Sequence, residues 1–239
     1  MASLYPSKAT GWTSVLALLA MMLSRPVLAD PAPVPPFSDH YRLKSQGIPF
    51  TIEATRTLRR VRDGLWEMNV HAKNWLGEIR ETALFSWQDC MPETSFYGYR
   101  RRGLGRVKKA EVHINRDTGV AVSERSNKPM TSYEVGSNAT DDLSLTLALQ
   151  CRLRQGANDI TLDVADDRGL STHHYRVVGK EKLDIDHMAV NTVKVKRVRA
   201  ADSKRQTFLW FAPGRDYALV KLEQQNADGK HTMTLMDEN

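Results

Sequence analysis

Apolar and polar residues alternate along most of this chain, which is the pattern of β-strands with one buried face. In the first alternating segment, Phe50 and Ile52 fall on one side, and threonine, glutamate and arginine residues fall on the other. The turn dipeptide Asp63-Gly64 separates this segment from a second one that begins at Trp66. Two alternating runs joined by such a dipeptide predict a β-hairpin.

The same alternation predicts strands through most of the remaining chain. Within the segment 192–199, which also carries four basic residues, the apolar positions change face, and this predicts a β-bulge near Lys196-Arg197. The segment 205–212 is apolar on both faces, which is typical of a central or helix-covered strand. The further expected strands are 77–87, 94–102, 105–115, 119–124, 159–165, 170–178, 181–185, 217–225 and 231–236.

One segment, residues 141–154, is predicted to be a helix. Its leucines alternate strictly with other residues, as in a strand. Two aspartates begin it, however, two arginines lie near its end and Gly156 follows. This arrangement complements the helix dipole and provides a C-terminal cap. Leucine, alanine, glutamine and arginine also favour a helix, and β-branched residues are nearly absent.

About a dozen consecutive strands and one helix bound the fold class. So many hairpins must curl into a barrel, a half-barrel or a sandwich in order to bury one face. We therefore predict a mainly β fold, a curved antiparallel sheet (a half-barrel or open barrel) with one helix packed against it.

The N-terminal residues have the pattern of a secretory signal peptide. Lys8 precedes an apolar stretch at 12–23, and Val27-Leu28-Ala29 follows it. This stretch is too short to span a hydrocarbon core about 30 Å thick. A basic end, an apolar core and small residues at the cleavage site are typical of an export signal. We predict cleavage after Ala29, a periplasmic location and no transmembrane anchor in the remaining chain.

After cleavage we expect a proline-rich tether at 30–40 and a single β-rich domain at 41–239. Four prolines between residues 31 and 36 exclude a helix or a central strand there. Losing Lys8 and Arg25 with the signal lowers the formal net charge from +6 to +4. This charge favours anionic surfaces such as lipid phosphate headgroups, although a solvated mixed surface explains it as well.

Two cysteines, Cys90 and Cys151, occur in the chain. In an oxidising compartment an even pair suggests a disulfide, and two buried free thiols are the alternative.

Several short motifs give the chain a family resemblance. Asp141-Asp142-Leu143-Ser144 is followed by 207–213 (TFLWFAP), 217–222 (YALVKL) and Asp228-Gly229. Over nearly all of 41–237, the chain resembles the bacterial exported-protein family catalogued as domain of unknown function 3108, although Leu219 replaces a usual proline. The resemblance implies a periplasmic β-rich domain with no established activity. Its implied fold is similar to that of periplasmic lipoprotein and lipid carriers, and such an analogy does not give function.

The candidate ligand-binding residues form a basic set and an aromatic set. The basic set surrounds a predicted hairpin tip, where arginines would hold phosphate groups, unless the hairpin is simply solvated. The aromatic set would line an apolar cavity for an acyl chain, unless it only fills the core. The basic set is Arg100, Arg101, Arg102, Arg106 and Lys108, and the aromatic set is Trp210 and Phe211.

No catalytic motif is recognised after residue 29. The adjacent His173 and His174 point to opposite faces of a predicted strand and cannot readily share a metal ion. We therefore predict no catalytic residues, no metal and no cofactor. Because only few aromatic residues lie near the basic set, nucleic acid is not an expected partner.

The leading hypothesis is a periplasmic, non-enzymatic binding module for a lipid or another apolar envelope ligand. An envelope assembly or structural factor that binds another protein through a strand edge or the basic set is an alternative. A hydrolase of envelope polymers that uses dispersed carboxylates is a further alternative. The expected partner is accordingly a lipid or an envelope protein.

Overall fold

In the computed structural model, which describes residues 32–103, 105–227 and 229–236, the alternating segments form fifteen β-strands. One α-helix, α1 (Leu145–Arg154), and a single 3-10 turn, Pro213–Arg215, accompany them in the described part of the chain. The strands are β1 (Phe37–Ser45), β2 (Ile52–Arg62), β3 (Leu65–Asn74), β4 (Gly77–Gln88), β5 (Met91–Gly103), β6 (Arg106–Asn115), β7 (Val120–Arg125), β8 (Thr131–Glu134), β9 (Thr140–Asp141), β10 (Asp159–Asp166), β11 (Gly169–Ile185), β12 (Met188–Val198), β13 (Gln206–Ala212), β14 (Ala218–Asn226) and β15 (Gly229–Leu235).

All fifteen strands belong to one sheet with the order β8-β7-β6-β5-β4-β3-β2-β1-β15-β14-β13-β12-β11-β10-β9. Pairing is antiparallel throughout, except between β9 and β10. The strands β8 and β9 form the two edges, so hydrogen bonding does not close the sheet. The Tyr133 hydroxyl of β8 nevertheless donates to the Asp166 carbonyl at the end of β10, at 2.7 Å. The sheet is therefore open but strongly curved, and this confirms the predicted fold class.

The folded region begins earlier than the sequence indicated. Strand β1 starts at Phe37, inside the expected tether at 30–40, and pairs with both β2 and β15. Val34 is fully buried, and Arg154 of α1 donates a hydrogen bond to the Pro33 carbonyl. The prolines exclude a helix but allow an extended segment that packs along the fold. The predicted signal peptide, 1–29, lies outside the described residues.

Helix α1 begins at Leu145, four residues later than predicted, and the two preceding aspartates are not part of it. Thr140–Asp141 forms β9 instead. The Asp141 carboxylate accepts hydrogen bonds from the backbone N–H groups of Leu143 and Ser144, at 2.7 and 2.9 Å. An aspartate that binds the N–H groups two and three residues ahead holds the chain in a turn, which delays the start of the helix.

The environment of α1 explains why its leucines do not follow a helical period. Eight of its ten residues are buried. Leu147 and Cys151 belong to an apolar cluster with residues of β2–β7, whereas Leu145 and Leu149 belong to a second cluster with residues of β10–β14. A helix that is covered on most of its circumference needs no polar stripe.

The predicted bulge is wrong in position. Pairing between β12 and β11 is continuous through Lys196 and Arg197, and the register shifts in β11, between Val177 and Gly179. This bulge lies inside one long strand where the sequence predicted two, 170–178 and 181–185. The irregular pattern of β12 has another cause, because its inward face changes from valine to arginine along the strand.

A disulfide joins the turn between β4 and β5 to α1. Cys90 and Cys151 are both buried, and their Cα atoms are 5.5 Å apart. The bond closes a loop with a sequence separation of 61 residues. Such a cross-link reduces the conformational entropy of the unfolded chain by an amount that depends on loop length.

We expect the double variant Cys90→Ala/Cys151→Ala to lose about 4 kcal/mol of unfolding free energy, because the unfolded chain regains the freedom of that loop. Urea unfolding of the variant and of the oxidised wild type measures this difference. Dithiothreitol should destabilise the wild type and leave the double variant unchanged. Equal midpoints for the two oxidised proteins would contradict the role assigned to the disulfide.

Candidate functional site

The structure does not bring the basic and aromatic sets together. The five cations are exposed along the hairpin of β5 and β6, where Arg101 pairs with Lys108 across the strands. Trp210 and Phe211 are buried on opposite faces of β13 and belong to two different apolar clusters. The two sets therefore form separate features, and neither lines the cavity beside the N-terminal end of α1.

Contacts with neighbouring side chains of the fold surround Trp210. The ammonium groups of Lys194 and Lys221 lie 5.0 and 4.4 Å from its ring centroid. Its indole N–H donates to Glu181 Oε2 at 2.8 Å. Such cation–π and hydrogen-bond contacts stabilise a large aromatic side chain at the edge of a core. This surrounding leaves Trp210 no free face for an acyl chain.

The concave side of the sheet contains a cavity of about 600 Å³ beside the N-terminal end of α1. A volume of this size is typical of small-molecule sites. Its apolar wall comes from leucines of α1, β13 and β14, and its other walls carry charged and phenolic side chains. The lining includes Glu81, Tyr97, Asp142, Leu145, Tyr175, Arg197, Arg199, Arg205, Leu209 and Leu222.

Four arginines line this cavity, and one of them, Arg168, is paired with Asp166 at 3.0 Å. Arg197 lies in β12, Arg199 directly follows β12, and Arg205 directly precedes β13. The Nε and Nη2 atoms of Arg199 are buried and have no hydrogen-bond partner among the described residues. Burial, together with the charges of Arg197 and Arg205, lowers the pKa of Arg199 to about 10, so it remains charged at neutral pH. Burying guanidinium nitrogens without a partner is costly, and an anion among Arg197, Arg199 and Arg205 would offset their positive charge.

Another interior arginine shows the contrast. Arg56 of β2 is buried and donates from Nη2 to the Thr146 hydroxyl of α1, at 2.5 Å. Its guanidinium also lies 5.1 Å from the centroid of the Phe37 ring. Arg56 therefore connects the sheet to the helix inside the fold, whereas Nε and Nη2 of Arg199 are buried without a hydrogen-bond partner among the described residues.

Three carboxyl groups line the same cavity. Asp167 lies 4.0 Å from both Arg125 and Arg168, and the other two, Glu81 and Asp142, have raised pKa values. Glu81 of β4 accepts a hydrogen bond from the Tyr97 hydroxyl at 3.1 Å. Burial raises the pKa of Glu81 to about 7, and the charges of Asp142 and Asp141 act in the same direction. The Asp142 side chain is accessible from the cavity, but protein atoms surround it on most sides. This reduced hydration raises the pKa of Asp142 to about 6. Both groups hold a proton more readily than an ordinary carboxyl group does.

The two histidines lie on opposite faces of β11, as their adjacency implies. Burial and the charges of Arg197 and Arg199 lower the pKa of His173 to about 4, so it is neutral at neutral pH. No group of three or more His, Cys, Asp or Glu side chains in the described part of the chain is arranged to hold a metal ion.

Sequence reasoning missed the cavity although a signal was present. Val193 and Val195 share a face of β12 with Arg197, and Glu81 shares a face of β4 with the buried Ala83. Charged residues that continue a buried apolar face at a spacing of two point into the interior. The interpretation of these arginines as part of a basic strand with a bulge did not predict that they point inward.

Comparisons with known proteins give a family and a fold. The model of a family described as protein of unknown function (DUF3108) matches residues 41–236. No curated protein matches the chain. A similar solved structure is the beta-barrel-like protein of domain of unknown function DUF1849 from Brucella abortus, with 10% identity and a TM-score of 0.57. The match covers 84% of this chain and 96% of that one, and at this identity it shows the fold alone.

The structure also bears on membrane spanning by helices. Among the described residues, no helix has the length and apolar character needed to cross a bilayer.

We expect the pH dependence of stability to change in Glu81→Gln. Because burial raises the Glu81 pKa from 4.5 to about 7, its stabilising contribution is complete below pH 4.5 and is lost as the pH rises to about 7. The unfolding free energy of the wild type relative to the variant should fall by about 2 kcal/mol over this range, less than the full shift since the cavity is open to solvent.

Urea titrations between pH 4.5 and 8 measure this difference. Glu53→Gln, which changes an exposed carboxyl group of β2, is the control and should follow the wild type. A difference between wild type and Glu81→Gln that is constant with pH would contradict the burial of Glu81 as the cause.

Proposed function

The chain belongs to the DUF3108 family of proteins of unknown function, and we propose that it is an exported binding protein that holds an organic anion in its interior cavity. The observation that carries this proposal is the convergence of Arg197, Arg199 and Arg205 on this cavity, where Nε and Nη2 of the half-buried Arg199 have no partner among the described residues. Arg197 and Arg205 line the same cavity and add positive charge beside it.

The walls of the cavity indicate the class of ligand. Leu145, Leu209 and Leu222 form an apolar wall, and the phenol rings of Tyr97 and Tyr175 are amphipathic. Guanidinium groups bind phosphate and carboxylate through two parallel hydrogen bonds. An anionic amphiphile with a phosphate or carboxylate head and an apolar chain fits both walls. An entirely apolar ligand would leave the arginines unpaired.

Two of the carboxyl groups reduce the obstacle to such a ligand. An ionised carboxylate beside a bound anion repels it, whereas a protonated one donates a hydrogen bond. The raised pKa values of Glu81 and Asp142 keep part of both groups neutral near pH 7. The proposed cavity therefore binds more strongly as the pH falls from 7 to 5, while its arginines stay charged.

We expect Arg199→Met to lower the affinity for dodecyl phosphate at least tenfold, because a hydrogen bond to a charged group contributes about 1.5–3 kcal/mol. Isothermal titration calorimetry below the micellar concentration measures the change. Dodecyltrimethylammonium, with the same chain and the opposite charge, should not bind.

The matched control is Arg62→Met, which removes an exposed arginine at the far end of β2 and should bind like the wild type. Equal affinity of wild type and Arg199→Met for dodecyl phosphate would overturn the proposed site. Native mass spectrometry of protein purified from cells, beside a lipid extract of the same sample, then identifies the natural ligand.

The export part of the proposal is supported by the basic end, short apolar stretch and small residues before position 30. We expect protein from the periplasmic fraction of an expressing bacterium to have the mass of residues 30–239. Intact-mass spectrometry checks this, and Ala29→Arg should retain the uncleaved mass. A wild-type protein that keeps residues 1–29 and stays in the cytoplasm would contradict export.

A further inference from the structure

The turns at one end of the sheet carry an unusually exposed aromatic residue. Because β1 to β6 are antiparallel, the turns β1–β2, β3–β4 and β5–β6 lie at the same end. Trp75, in the β3–β4 turn, is 82% exposed, and its ring centroid is 6.0 Å from that of Phe50. Ile48, before β2, is also exposed. An exposed group of large apolar side chains marks an interaction surface.

Cations surround this apolar group. A groove of about 260 Å³ lies between the turns, and Ile48, Phe50, Arg101 and Arg102 all line it. The β5–β6 hairpin, which also carries Arg101 and Arg102, adds three more exposed cations. We call the whole surface the aromatic–basic tip, and its residues are Ile48, Phe50, Trp75, Arg100, Arg101, Arg102, Arg106 and Lys108.

The positive charge of the tip is not neutralised by the protein. Within the described residues, none of its five cations forms an ion pair. The adjacent carboxylate, Glu78, is engaged by His71 and Arg80 at 2.8 and 2.7 Å. Both contacts are made to Oε1 of Glu78, and they lower the pKa of this carboxyl group. The five charges therefore remain available for an external anion.

We propose that the aromatic–basic tip docks the protein on the surface of an anionic phospholipid bilayer. Tryptophan is favoured at the membrane–water interface, where its ring enters the headgroup region and its N–H stays hydrated. Arginine binds lipid phosphate bidentately, and clustered cations are attracted to the negative potential of the surface. One exposed tryptophan near clustered cations combines both features at this end of the sheet. This surface is separate from the arginines of the cavity.

Vesicle co-sedimentation tests this docking with protein purified after expression of the full chain. Vesicles of phosphatidylcholine containing 30 mol% phosphatidylglycerol are compared with vesicles of phosphatidylcholine alone. We expect binding to the anionic vesicles at least tenfold stronger than to the neutral ones, and a further tenfold loss in 0.5 M NaCl. Quenching of tryptophan fluorescence by brominated lipid should accompany binding and be lost in Trp75→Ala.

The variants separate the parts of the tip. Trp75→Ala and Arg101→Glu/Arg102→Glu should each bind anionic vesicles at least tenfold more weakly, and Trp75→Phe should retain most of the binding. Arg60→Glu/Arg62→Glu, an equal charge change at the opposite end of β2, should bind like the wild type. The cavity variant Arg199→Met should also bind vesicles normally, so failure of the cavity proposal leaves this test unaffected. Unchanged thermal melting shows that each variant is folded.

Three results would overturn the docking proposal. The first is equal binding to neutral and anionic vesicles, and the second is full binding by both tip variants. The third is competition by millimolar glycerol 3-phosphate, which would show that the tip holds single phosphate groups and not a bilayer surface.

Discussion

The curved sheet depends on helix α1, which fills its concave side. An open sheet that neither closes into a barrel nor packs on a second sheet needs another element to cover its apolar face. Leu147 and Cys151 of α1 extend the apolar cluster of β2–β7, and Leu145 and Leu149 extend that of β10–β14. The pairing of β1 with both β2 and β15 joins the two halves of the sheet, and packing on the helix fills the concave side between them. Full burial of one leucine stabilises a fold by about 1.5–3 kcal/mol, so four or five such residues are a large share of net stability.

Several contacts fix the position of this helix. The Asp141 carboxylate holds the turn before it, and the Thr94 hydroxyl of β5 donates to the same carboxylate at 2.6 Å. Arg116 donates hydrogen bonds to the carbonyls of Gly136, Ser137 and Ala139, which orders the loop that leads to β9. At the other end, the disulfide attaches Cys151 to the β4–β5 turn. The helix is thus held at both ends by elements of the sheet.

The cavity exists because α1 is short. Its ten residues fill only part of the curve, and the space beside its N-terminal end is lined by charged and phenolic side chains as well as by Leu145, Leu209 and Leu222. The cavity is therefore a polar region within the fold, and at Arg199 the Nε and Nη2 atoms have no hydrogen-bond partner among the described residues. Local structure that is costly for folding is often kept for binding, and this is the physical basis for assigning function to the cavity.

Most strand positions, the turn dipeptides and the mainly β class followed from the sequence alone, because alternation with a period of two reports directly on a half-buried strand. The strands β1, β8 and β9 were not among those expected. The sequence also predicted one helix, but with its start at residue 141. In a sequence, an aspartate in the turn before a helix looks the same as an aspartate in the first helical turn. The sequence further specified the exposed cations of the β5–β6 hairpin. Tertiary structure alone decided that Arg197 and Arg199 meet Glu81 and Asp142, which lie far away in the chain, and that Trp75 is exposed while Trp210 is buried. These outcomes depend on how the sheet curves around α1, and curvature is set by long-range packing, which a local pattern of residues does not contain.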